Sequence, residues 1–469
     1  MLKLKVSLIG HSNSLPLAQA KQAATCCYQE TMPELETEET EKDIEFVKKK
    51  LFKTGHHTTI EHSYFTFVIE GVAVGDVTFG LHLTHPFYNS DQRSGRFCSE
   101  MFLKPDFESI ADYLTAFWPE LEVDKINAVM SFIEEGISLY QNNLKEAISV
   151  TAKLLRQERP NWNEEMVLAA APKIAQEQLR AFISVIFPTA LTHTIDLCTL
   201  VAMWESAFSP SLRYITEQMK DEVLQKFPNL SFMFDDKRRR QTDWGCGLEK
   251  IQEEAERKNN VTLYSPRLLD MRFSDLDSFQ PPTPELMHPV DKLHFTPELM
   301  DNNIVSIIQE IMVSVATMGQ DQRHRTIQRG MPTFTGYFYV PPVVRQLKLD
   351  PFGFFKKWLG LRDFIPPSMF TVIAPYGAMV TYQKRGSLNA MFHEAEKRLC
   401  ICAQEEFYNL YRQVRMAIKQ RRGDNEPLLK FLEPPCYHSG VCAEGARCCG
   451  RNIALREDPA KNYFPQRNV

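Results

Sequence analysis

The sequence predicts an α+β fold spread over two or three domains. Three observations carry this. At 469 residues the chain is longer than one ordinary domain. Short runs rich in aromatic and β-branched residues read as strands, the clearest being Phe65-Thr66-Phe67-Val68-Ile69. Long stretches have helical periodicity, above all from Ile110 to about Phe227.

Composition narrows the function classes. A net charge of -5 argues against a general nucleic-acid binder. No stretch approaches the length of an apolar membrane span. The start, MLKLKVSLIGHSNSL, is basic and apolar, but its apolar part is broken too soon for a secretory signal, so it reads as a first strand. The eleven cysteines include adjacent pairs at Cys26-Cys27 and Cys448-Cys449, an arrangement that suits free thiols in a reducing cytoplasm better than a disulfide framework.

In order along the chain, residues 1 to about 30 give a strand and then a helix, LPLAQAKQAATCC. Residues 33 to 43 are an acidic loop. Lys42 to Lys53 is an amphipathic helix with Ile44, Val47, Leu51 and Phe52 near one face. The Ile110 to Phe227 stretch reads as helical almost throughout. Asp235 to Asn302 reads as linker, marked by KRRRQTDWGCG and FQPPTPELMHPVDKLHFTPEL. Its basic run, Lys237 to Arg240, is a nucleic-acid contact or a solvated linker, and the absence of interleaved aromatics favours the linker. Ile304 to Arg325 reads as a helix ending in Arg323-His324-Arg325. Gly336 to Pro342 is extended. Residues 380 to 418 read as a helix pair with an apolar stripe of Leu388, Met391, Phe392, Ala395, Leu399 and Cys402. His393 and Arg398, five residues apart, differ by roughly 140° around that helix and would flank one ligand.

Two segments carry chemistry-bearing residues. Gly55 to Phe97 opens on His56, His57, Thr58, Thr59, Glu61 and His62 and closes on Asp91-Gln92-Arg93-Ser94-Gly95-Arg96-Phe97. The closing loop offers a hydroxyl, a flexible backbone and a guanidinium, which suits a phosphate. Taken alone, the opening cluster equally caps a helix and satisfies strand ends. The tail, EPPCYHSGVCAEGARCCGRN, offers Cys436, His438, Cys442, Cys448 and Cys449 as metal ligands. Structural zinc is the first reading, free thiols the second and an iron–sulfur cluster the third.

The pattern G-H-x-T-x-x-E-H-x-x-F-T-F, followed by a helix and Ser94-Gly95-Arg96-Phe97, resembles the flavin-dependent thymidylate synthases. In that family the segment ends in R-H-R and then S-x-N-E-x-S-x-R-Y. Here the R-H-R positions hold Thr84, His85 and Pro86, and the N-E pair is Asp91 and Gln92. The missing triplet appears downstream as Arg323-His324-Arg325, with Gln320 before it. His393, Arg398, Ala403, Gln404 and Glu406 match the family's last helix pair. The family's Arg and Asn of the first helical part fall on Ser211 and Leu200, with Arg213 close by.

The resemblance implies two thymidylate-synthase-complementing-like halves, each a small mixed sheet with a long helical bundle. They would span 1–235 and 303–430, with 236–302 as linker and 431–469 as a Cys-rich tail. It implies reductive methylation of dUMP to dTMP, with FAD as cofactor and methylene-tetrahydrofolate and NADPH as co-substrates. Gln92, Ser94, Gly95, Arg96, Gln320, Arg323 and Arg398 would bind the nucleotide. Arg398 and Ser94 would act in catalysis, Arg398 by polarising the uracil. His56, Thr58, Arg323, His324, Arg325 and His393 would contact FAD. A homodimer would imitate the family's tetramer. The rival readings are a diverged flavoenzyme acting on another pyrimidine nucleotide and a non-catalytic nucleotide-binding or scaffold relative.

Overall fold

The computed structural model describes residues 2–82, 88–95, 98, 100–240, 262–274, 276–279, 299–451 and 464–469. The chain forms two compact units, neither continuous in sequence. Unit 1 gathers 1–131, 184–246 and 361–374, and unit 2 gathers 132–183, 247–360 and 375–469. Residues 132–183, placed by sequence in the first half, thus cluster with unit 2, and 361–374 with unit 1. Backbone pairing accounts for where the chain changes unit. Gly75 N–H donates to Val185 O and Val185 N–H to Ala374 O within unit 1, whereas Tyr376 N–H donates to Ile183 O and Gly377 N–H to Ala181 O within unit 2.

Unit 1 holds a four-stranded antiparallel sheet of β1 (Lys5–His11), β2 (Tyr64–Ala73), β3 (Tyr88–Gln92) and β4 (Pro188–Asp196), in the order β1-β2-β4-β3. In β2 the side-chain period of two puts Phe65, Phe67 and Ile69 in the core. Gly71, at φ +73°, is the bulge that shifts the β2–β4 register between Glu70 and Val72. Strand β4 interrupts the stretch expected to be helical. Its Thr-rich alternation buries Leu191, His193 and Ile195, and Pro188 is tolerated as the first strand residue. Phe187-Pro188 therefore enters a strand, and the helices Leu197–Ser206 and Pro210–Lys226 follow, N-capped by Asp196 and Ser209. The expected helix near residues 42–53 is an α-helix, Glu41–Phe46, continued by π-type turns over Val47–Phe52, with Val47 and Leu51 buried.

The basic run is mostly exposed, yet two of its residues have fixed partners. Arg238 pairs with Glu205 at 2.7 Å and lies 4.7 Å over the Phe52 ring. Arg239 pairs with Glu217 and stacks 4.1 Å over Trp204. The aromatic partners come from distant sequence, so the local run gives no sign of them.

Unit 2 holds β5 (Thr262–Leu263), β6 (Arg267–Phe273), β7 (Ser306–Ser314), β8 (Gln328–Arg329), β9 (Thr333–Tyr339) and β10 (Ala378–Ser387). The order is β5-β9-β10-β7-β6, with β8 also on β10. Two expected helices are corrected. Residues 306–314 form β7, because Ile307, Ile311 and Val313 alternate into the core, and the helix is only Val315–Asp321. Residues 380–387 belong to β10, and the helix pair is Leu388–Arg398 and Glu405–Arg422. Part of the expected linker, 262–273, is likewise sheet, while 241–261 and 280–298 lie outside the described residues. The cysteine-rich segment 436–451 and the stretch 464–469 also belong to unit 2.

Candidate functional site

In unit 2 the signature residues converge where the helix Val315–Asp321 meets the corner between Leu388–Arg398 and Glu405–Arg422. Arg398, the last residue of its helix, donates from Nη2 to the Gln320 carbonyl at 2.9 Å and to His324 Nε2 at 2.9 Å. Its guanidinium lies 4.4 Å over the Phe407 ring. His324 accepts at Nε2, so its proton is on Nδ1. Burial, and then the Arg398 charge, hold His324 well below the usual imidazole range, which keeps it neutral. The His324 and His393 rings meet edge to face at 5.8 Å. The side chain of Gln320 hydrogen-bonds that of Gln404. Arg323 is exposed and Arg325 half-buried on either side of buried His324.

Beneath this corner lies a charge cluster that the motif reading did not anticipate. Lys384, from β10, donates to Asp321 Oδ1 at 2.7 Å and to Glu394 Oε2 at 2.5 Å, and all three side chains are excluded from solvent. Arg329 pairs with Asp321 and donates to the carbonyls of His324 at 3.0 Å and Ile327 at 2.7 Å. Tyr382 donates to Asp321 at 3.0 Å, and Tyr411 donates to Glu394. Burial pushes Asp321 up, but Arg329 and Lys384 more than reverse this and hold it well below the usual carboxylate range. Burial pushes Glu394 up to about 7. Arg329 thus ties the turn carrying His324 to an ionised buried carboxylate. The sequence signal was Lys384-Arg385 inside a β-branched run, since Lys is rarely buried unless paired.

A second buried carboxylate fixes the helix that carries Gln320. Glu406 accepts from the Ser314 backbone N–H at 2.7 Å and the Thr317 hydroxyl at 2.6 Å, which satisfies donors of the helix N-terminus.

The remaining expected residues lie in unit 1. Gly55, at φ +80°, leads into a single turn, His57–Thr59, in which the Thr59 hydroxyl donates to the His56 carbonyl at 3.0 Å. His56, His57 and Thr58 are exposed. Gln92 is the last residue of β3, opposite Leu191. Ser94 and Gly95 follow in a turn closed by Cys98 N–H donating to Ser94 O at 2.9 Å. Arg96, like Thr84, His85 and Pro86, lies outside the described residues. Ser211 is buried and donates to Asp76 at 2.7 Å, Leu200 is fully buried, and Arg213 donates to the Ala207 carbonyl at 3.2 Å. His82 stacks on Tyr88 at 5.1 Å and bonds Ser90 at 2.8 Å, with His193 packed against Tyr88.

In the tail, Cys436, Cys442 and Cys449 line a cleft that also presents Cys400, Cys402 and Glu444. His438 sits against Glu433, Nε2 to Oε2 at 3.6 Å. The Cys448 carbonyl accepts from Trp162 Nε1 at 2.9 Å. All described cysteines are free thiols. No helix among the described residues is long and apolar enough to cross a membrane.

Comparison with known proteins gives one family. The family described as thymidylate synthase complementing protein matches residues 7–229. No curated protein matches. Among solved structures, a thymidylate synthase X from Helicobacter pylori with FAD and dUMP is 16% identical, with a TM-score of 0.33, covering 50% of this chain and 100% of its own. A UMP/dUMP methylase from Streptomyces cacaoi bound with 5-Br dUMP is 14% identical, with a TM-score of 0.33, covering 50% of this chain and 95% of its own.

Proposed function

We propose, from the match of residues 7–229 to the thymidylate synthase complementing proteins, that the chain is an FAD-dependent enzyme methylating C5 of dUMP or a closely related pyrimidine nucleotide. Methylene-tetrahydrofolate is the carbon donor in this reading, and NADPH the reductant. Bound FAD would supply the hydride.

The observation that carries the reading is the Arg398 corner. The guanidinium is held by a carbonyl, a neutral imidazole and an aromatic face. A cation fixed before the substrate arrives stabilises charge as it develops on a pyrimidine carbonyl, without reorganising in the reaction. Its neighbours fit a flavin dinucleotide. Arg323 and Arg325 offer guanidinium forks to a diphosphate, and His324 and His393 offer ring faces and a neutral donor. In unit 1, His56 and Thr58 are the candidates for FAD, and Gln92, Ser94, Gly95 and Arg96 those for the nucleotide, Ser94 and Arg96 on its phosphate. In unit 2, Gln320 and Arg323 are the candidates for the nucleotide. A homodimer completes the arrangement in a reducing cytoplasm.

The test is an absorbance spectrum of the protein reconstituted with FAD, repeated after adding dUMP, followed by an assay for dTMP. Flavin bands that shift with dUMP, with dTMP formed, support the proposal. Bands that shift without dTMP move the assignment to another pyrimidine modification. A protein that retains no flavin overturns it.

A further inference from the structure

The thiols of unit 2 form a constellation that the nucleotide chemistry does not use. Cys400 and Cys402 lie on the corner between Leu388–Arg398 and Glu405–Arg422. Their sulfurs and a Glu444 carboxylate oxygen all lie within 4.8 Å of one another. Cys436, Cys442 and Cys449 line the same cleft. Thiols from two sequence regions about 40 residues apart have no packing reason to converge on a partly open cleft.

The frame around them is fixed before any ligand arrives. Arg159 donates to the Ile401 carbonyl at 3.2 Å, and Arg467 to the Ala403 carbonyl at 2.8 Å, so the carbonyls on both sides of Cys402 are held. Trp162 holds the Cys448 carbonyl, and the Arg159 guanidinium stacks on that indole at 4.3 Å.

A second observation points to negative charge in the cleft. Arg159 is buried, and its Nε has no hydrogen-bond partner among the described residues. Glu158 and, after it, Cys402 and Cys449 act on its charge. Thiolates in the cleft add to the counter-charge that Glu158 gives this buried guanidinium.

We propose that this cleft binds a zinc ion, with Cys400 and Cys402 as two thiolate ligands and two of the tail thiols Cys436, Cys442 and Cys449 completing a tetrahedral set. Spacing decides between one ion and a cluster. Sulfurs on a tetrahedral zinc at ~2.3 Å lie roughly 3.8 Å apart, which matches a group within 4.8 Å of one another, whereas cubane ligands stand farther apart. Each ligating thiol gives up its proton to solvent as the metal binds, and no redox change is involved. Such an ion staples the tail to the corner that begins two residues after Arg398.

The test is metal analysis of the full-length protein purified under a thiol reductant, without added metal. Stoichiometric zinc is expected, falling roughly 10-fold or more in Cys400→Ser/Cys402→Ser. It should be unchanged in Cys26→Ser/Cys27→Ser, a pair in unit 1. Cobalt substitution of the unaltered protein gives a readout that does not depend on the variant folding: intense visible bands of tetrahedral thiolate cobalt are expected. Absence of metal overturns the proposal, as does zinc indifferent to the Cys400/Cys402 pair. Iron with acid-labile sulfide overturns the single-ion assignment, and cobalt bands without thiolate character overturn the ligand set.

Discussion

Replacing Arg398 by Met tests the corner most directly. Met keeps an unbranched side chain on the helix while removing the charge and both Nη2 hydrogen bonds, to the Gln320 carbonyl and to His324. A charged hydrogen bond contributes roughly 1.5–3 kcal/mol, so some loss of stability is expected whatever the role. A donor aimed at a developing anion contributes more to turnover, roughly 10²–10³-fold. His324 separates the two effects. Its proton affinity is depressed first by burial and then by the Arg398 charge, so the variant should raise the His324 pKa while leaving it below the usual value. The sign follows from linkage. A depressed histidine pKa means that the folded state binds fewer protons than the unfolded state, so stability falls as pH drops below the usual imidazole value. Losing Arg398 should narrow that window. The assays are steady-state turnover and an NMR titration of His324 in the folded protein. Turnover unchanged would remove Arg398 from the mechanism. An unmoved His324 would refute the electrostatic coupling, even with turnover lost. Arg398→Lys should restore most of the His324 depression but little of the turnover, since an ammonium lacks the planar fork.

Other perturbations probe the framework. Lys384→Met leaves Asp321 and Glu394 buried without their shared cation and should cost about 3–5 kcal/mol by denaturant unfolding; adding Glu394→Gln should recover part of it, and strict additivity of the two changes would contradict the shared pairing. Burial raises Asp76 from 3.8 to about 6, about two units and so about 3 kcal/mol. That contribution is present below about pH 4 and lost as pH rises through about 6, so Asp76→Asn should gain about 3 kcal/mol relative to the parent between those limits. A difference independent of pH would refute the assignment. Gly71→Ala forces a Cβ to 2.5 Å from the Lys3 carbonyl at φ +73°; a loss of about 2 kcal/mol is expected in thermal or chemical unfolding, and a neutral result would deny the bulge.

Local sequence disclosed the chemistry better than the architecture. The downstream triplet and the His393/Arg398 spacing were visible as a pattern, and the structure brings His324, His393, Arg398, Gln320 and Gln404 to one corner. Strands β4 and β7 read as helix because both are short segments between true helices, which mask their alternation. Long-range partners were not legible at all. Nothing beside Arg238 and Arg239 announces Phe52, Trp204, Glu205 or Glu217. Nor does the tail announce Cys400 and Cys402, whose C-x-C spacing was the available signal.

The two sheets share a pattern that bears on the two-half reading. Strands β1-β2-β4-β3 in unit 1 and β6-β7-β10-β8 in unit 2 are joined in the same antiparallel order. The correspondence reaches single positions. His193 lies three residues before the helix cap Asp196 and pairs with Ser90, and Lys384 lies three residues before the cap Ser387 and pairs with Arg329. Unit 1 therefore carries an imidazole and a hydroxyl at the positions where unit 2 carries an ammonium and a guanidinium. A further pair is exchanged. Asp76 lies three residues beyond the end of β2 and accepts from Ser211, the second residue of its helix. Thr317 lies three residues beyond the end of β7 and donates to Glu406, the second residue of its helix. The carboxylate has changed sides while the contact has stayed. A buried carboxylate–hydroxyl contact is costly to lose from one side alone, because the remaining group is left unsatisfied. We propose on this ground that the two sheets are halves of common descent: two sheets of separate origin would have no reason to meet that constraint at matching positions.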